Sequence, residues 1–78
     1  MQHANGRRDQ AIHDLITAVD MLQWGADQYR TARVDYAAYC ASTTDVSLSR
    51  IAGILGGTQT DARASISRGQ QMMMGHLA

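Results

Sequence analysis

From Asp9 to Cys40 no proline interrupts the chain, and Ile12, Leu15, Val19, Leu22, Ala26, Tyr29, Arg33, Tyr36 and Cys40 recur at alternating spacings of three and four. That recurrence is a heptad seam, which commits a segment to helix and gives it one edge to lay against another helix. It predicts an assembly helix from Arg7 to Ala41 whose seam of about 30 residues runs about 45 Å at 1.5 Å per residue. The seam is apolar over Ile12 to Leu22, then turns polar and aromatic, with Arg33 on it. A shorter pairing, or a helix folded against the C-terminal part, is therefore favoured over a long uniform zipper.

Ala4, Ala11, Ala18, Gly25 and Ala32 repeat every seven residues beside the seam, leaving one flank with little side-chain bulk. Small residues let helices approach to the short end of the usual packing range, and close antiparallel pairing follows. The candidate oligomer interface is Ile12, Leu15, Ala18, Val19, Leu22 and Gly25. Gly25 also lowers helix propensity by about 1 kcal/mol relative to alanine, which opens the option of a break after Trp24. Trp24 lies off the seam. A lone tryptophan in so small a domain belongs to the core, the alternative being an anchor in a partner's pocket. Tyr29, Tyr36 and Tyr39 fall on one side of the helix end, as expected of a junction with the C-terminal part.

The 78 residues make one domain with a modest core, for which a partner chain is a common supplement. Cys40 is the only cysteine, so an intrachain disulfide is excluded and a reducing, cytoplasmic setting is the simplest expectation. No signal-peptide pattern and no long apolar run occur, which points to a soluble protein. Lysine and phenylalanine, whose codons are AT-rich, are both absent, as expected of a GC-rich genome such as that of an actinobacterium or its phages.

The C-terminal half is organised differently. Ser42 to Ser47 form a polar link whose side chains compete for backbone hydrogen bonds, and Ser47 suits the N-cap of a following helix. Ile51, Ile54 and Leu55 stand at i, i+3 and i+4, and Gly56 follows them where a left-handed stop is easiest for glycine. Thr58 or Thr60 can cap the next helix, and Asp61 favours its first turn. Gly69 is placed to stop it. Gln70 to Ala78, with Met72, Met73 and Met74, is either a last helical turn or a frayed tail.

A small residue at Ala52, a glycine four positions later at Gly56 and a polar helix from Gln59 to Arg68 resemble the helix-turn-helix of DNA-binding proteins, over residues 48–69. Gly57 stands where that family usually has an apolar residue, and Ala62 where it usually has a branched one, so Ile66 is left to grip the core. The resemblance implies a homodimeric regulator reading double-stranded DNA with the second helix in the major groove. On that reading Gln59 faces adenine, Arg63 faces guanine, Thr58 and Thr60 reach phosphate or a thymine methyl, and Arg50 and Arg68 hold phosphates. The fold expected is all-α: a long N-terminal helix followed by a short helix-turn-helix-like pair.

Charge gives that reading limited help, since seven arginines balance seven aspartates. From Ser42 onward there are three arginines and two aspartates, a slight positive excess. The competing class is a non-enzymatic adaptor or small inhibitor that docks on a larger protein through Trp24 and its helix flank. No His or Cys pairing at metal-ligand spacing occurs, no base stands beside the thiol, and no lysine completes a phosphate loop. Neither an enzyme nor a cofactor is expected.

Overall fold

The computed structural model describes residues 2–77, with side chains from Gly6 to Gly75. It is all-helical, with no strand among those residues: α1 (Gln2–Met21), a 3₁₀ turn (Leu22–Trp24), α2 (Gln28–Thr43), α3 (Leu48–Leu55) and α4 (Gln59–Leu77). The longest dimension is 37 Å, too short for the 45 Å rod that the seam predicts. Two helices replace it.

The break is written in three residues. Gly25 takes φ 145°, ψ 143°, a conformation glycine adopts without strain. Asp27 then caps α2, its carboxylate accepting from the Arg30 backbone N–H at 2.8 Å and pairing with the Arg30 guanidinium. The chain reverses, and α1 packs on α2 rather than continuing into it.

The reversal also resets the helical phase. In α1 the buried residues Ala11, Leu15 and Ala18 follow the seam and its small flank, while in α2 they are Val34, Asp35, Ala38 and Ala41. The second half of the expected seam, Ala26, Tyr29, Arg33 and Tyr36, faces solvent. Of the seven-residue repeat, Ala11 and Ala18 are buried, Gly25 lies in the break and Ala32 is half-buried; the side chain of Ala4 lies outside the described residues. Trp24, expected in the core, is 74% exposed, at the end of a 3₁₀ turn that buries none of its residues fully.

The core joins all four helices: Leu15 from α1, Val34 and Ala38 from α2, Ile51 and Ala52 from α3, and Ala62 from α4, with Val46 from the link. Among the described residues only Leu15 and Ile51 are large side chains fully removed from water. Each contributes about 1.5–3 kcal/mol by transfer. Much of the rest is alanine, so stability depends on close helix approach.

That approach is tightest between α2 and α4. Gly69 lies inside α4, and a Cβ there would stand 2.8 Å from the Tyr39 Cβ and collide with the Asp35 carbonyl. Gly69 therefore does not stop the helix. It is a contact point between two backbones, and α4 runs on through Met72 to Met74 instead of fraying.

Candidate nucleic-acid interface

Three residues, Gly56 to Thr58, join α3 to α4, and local bonding fixes each of them. Gly56 is left-handed at φ 76°; its N–H donates to the Gly53 carbonyl, and the Gly57 N–H donates to the Ala52 carbonyl at 3.1 Å. This pair of bonds is a Schellman stop. Thr58 Oγ1 accepts from the Asp61 N–H at 3.1 Å while the Asp61 carboxylate accepts from the Thr58 N–H at 3.0 Å. The reciprocal capping box starts α4 at once. Hydrogen bonding from the backbone and then the side chain of Thr58 holds the Asp61 carboxyl below its ordinary pKa.

The expected reader residues separate into three groups. Arg63 and Thr60 are exposed on the first turns of α4, and Arg50 is exposed on α3, where its backbone N–H closes the Ser47 cap at 3.1 Å. Thr58 and Gln59 are already engaged: Thr58 in the capping box, Gln59 through a 2.9 Å bond from Nε2 to Ser49 Oγ that ties α4 to α3. Gln59 reaches adenine only by giving up that bond.

Arg68, expected to contact phosphate, is also engaged within the chain. Its Nε donates to Asp35 Oδ2 at 3.0 Å and its Nη2 to Oδ1 at 3.3 Å, a bidentate pair with a carboxylate that is only 8% exposed. The Asp35 hydrogen bonds and charge raise the Arg68 pKa above its ordinary value. Ser65 Oγ, itself buried, donates to Asp35 Oδ1 at 2.7 Å. Asp35 thus has partners for both oxygens, as a buried carboxylate requires. Arg68 locks α4 to α2, and its charge is largely matched.

Beyond Thr60, sequence reasoning missed the outward row of α4. Thr60, Ala64, Ser67 and Gln71 are all exposed, and their spacing of four, three and four puts them on one helical face. Arg63 flanks it. The row is short-chained and nearly uncharged, a surface that can approach a base edge closely. Between Asp45 and Arg63 two arginines stand against two aspartates, so its affinity for polyanions must be modest.

The expected interface residues lie elsewhere. Leu15 and Ala18 are closed inside the protomer, Ile12, Val19 and Leu22 pack partly covered against the same core, and Gly25 is in the break. Leu15, the centre of that expected seam, is thus taken up by the chain's own core. Among the described residues no group of His, Cys, Asp or Glu could hold a metal ion, and no helix is long and apolar enough to cross a membrane. The side chains of His3 and His76 lie outside the described residues. Compared with known protein families, with curated proteins and with solved structures, the chain finds no match.

Proposed function

We propose that the protein is a small DNA-binding regulator that acts as a homodimer and enters the major groove with the first turns of α4. The observation that carries this reading is the α3–α4 junction: a Schellman stop and a capping box in three residues, with the Thr60, Ala64, Ser67 and Gln71 row open to solvent. In this reading Arg63 pairs with guanine, Thr60 reaches phosphate or a thymine methyl, and Arg50 holds a phosphate. Asp35, Ser65 and Arg68 orient the helix. Two arginines per copy are few, so two copies are needed to bind usefully.

Fluorescence anisotropy of a labelled mixed-sequence duplex tests this at low and near-physiological salt. The log–log salt slope should be about −2 for the two Arg50–phosphate contacts of a dimer, at roughly 0.9 per contact. Arg63→Ala removes one guanine contact from each copy and should weaken binding of the dimer about a hundredfold. Absence of binding at low salt would sink the reading.

Trp24 favours a second reading, an adaptor for a larger protein, because an indole exposed to 74% at a helix end is placed to fill a partner's pocket. An adaptor would lose its partner with Trp24→Ala and be indifferent to Arg63→Ala.

A further inference from the structure

A groove of about 1060 Å³ runs between α1 and α2, with Ala11 on its floor, Arg7, Gln10 and Asp14 on the α1 wall, and Arg33 and Tyr36 on the α2 wall. It is partly open to solvent. From Gly6 to Ala18 it follows α1 for about 18 Å at 1.5 Å per residue, a little over three helical turns. A trough of that form fits a helix better than a compact ligand, which is normally enclosed over most of its surface.

The charges on its α1 wall identify the helix. Arg7 and Asp14 are seven residues apart, so both stand on one face, about 10.5 Å apart along the axis. A second α1 laid antiparallel, with a two-fold axis passing between Gln10 and Ala11, brings each Arg7 opposite Asp14 of the other copy. Opposite charges placed symmetrically about one point are what a self-complementary two-fold interface requires. Both side chains are available: Arg7 is exposed, and Asp14, 60% exposed, is held only by the neighbouring Gln10 at 2.8 Å with His13 at 4.0 Å. Tyr36, 42% exposed on the opposite wall, adds an aromatic of the kind enriched at interface centres.

We propose that this groove is the dimer interface, each copy seating its α1 antiparallel in the groove of the other through two Arg7–Asp14 pairs. The inference takes up the dimeric part of the function proposed above and rests on that reading only there. It also replaces the Leu15, Val19 and Leu22 seam with a neighbouring face, on which Ala18 remains as part of the lining.

Sedimentation equilibrium of the full chain tests it without DNA. Wild type should dimerise in the micromolar range, and Asp14→Arg or Arg7→Asp should each weaken the dimer roughly thirtyfold, because two attractions become two repulsions. The double swap Arg7→Asp with Asp14→Arg should restore it. Circular dichroism controls for folding, which neither exposed site should disturb. A wild-type chain that stays monomeric to about 0.5 mM, single swaps without effect, or a double swap that fails to rescue would each overturn the proposal. Arg63→Ala, which tests DNA binding, should leave the dimer intact, so the two readings fail separately.

Discussion

The α1–α2 hairpin and the α3–α4 pair are both helix–turn–helix connections by length, yet they are specified in different ways. In α3–α4 every boundary has a local device: the Ser47 cap, left-handed Gly56, and the reciprocal Thr58–Asp61 cap. The α1–α2 connection has local devices too, Gly25 and the Asp27 cap, but they compete with a periodicity that runs straight across them. The devices prevail because reversal lets Leu15 and Val34 share one core, which a continuous rod of this length would leave half exposed. Three or four residues of turn chemistry outweigh thirty residues of approximate spacing when the second half of that spacing is polar.

The largest effect that sharpens this comparison is expected at Gly69. If Gly69 merely interrupted helix propensity, Gly69→Ala would stabilise α4 by up to ~1 kcal/mol. With its backbone pressed against Asp35, the added methyl should instead cost about 1–3 kcal/mol, read as a lowered urea midpoint. A gain in stability would remove the α2–α4 contact from the account.

Gly25→Ala addresses the other region. Alanine at φ 145° is strained, and its Cβ would meet Arg30 Nη1 at 2.9 Å, so a loss of about 1–2 kcal/mol is expected with the hairpin retained. Small-angle scattering offers the decisive readout. A maximum dimension growing well beyond that of wild type would mean that the rod had won, and that periodicity, not turn chemistry, governs this half.

The smallest effect concerns Asp61. Its folded pKa is lowered, so the stability its charged form adds is fully present above the unfolded carboxylate value and is lost as pH falls through the lower, folded one. The penalty of Asp61→Ala should therefore be constant at neutral pH and shrink below about pH 4. A penalty that does not change with pH would mean the cap works through its geometry and not through charge.

The all-helical class, the Ser47 cap, the Gly56 stop and the start of α4 were legible because each depends on residues within one turn of one another. The burial of Asp35 was not. Its partners Ser65 and Arg68 lie 30 and 33 residues away, and a charged residue beside Val34 reads locally as a solvent position. The same blindness made Gly69 a stop signal, since the reason for a glycine there stands on another helix. Tyr29 and Tyr36 were misread for a simpler reason: aromatic residues count as inward in a spacing pattern, although a tyrosine can keep its hydroxyl in water, as Tyr29 does while accepting from Arg33 Nη1 at 3.1 Å. In the candidate site the arginines were found by chemistry, whereas Ala64 and Ser67 were passed over because they carry none.

The exposed indole has a practical consequence. Trp24 is the chain's only tryptophan, and it stands in solvent with the helices already packed. Its emission will shift little on denaturation, so a fluorescence melt will under-report unfolding. A blue shift in the native state will instead signal that something has come to rest on the 3₁₀ turn, which makes this residue an intrinsic reporter of company and leaves the core spectroscopically silent.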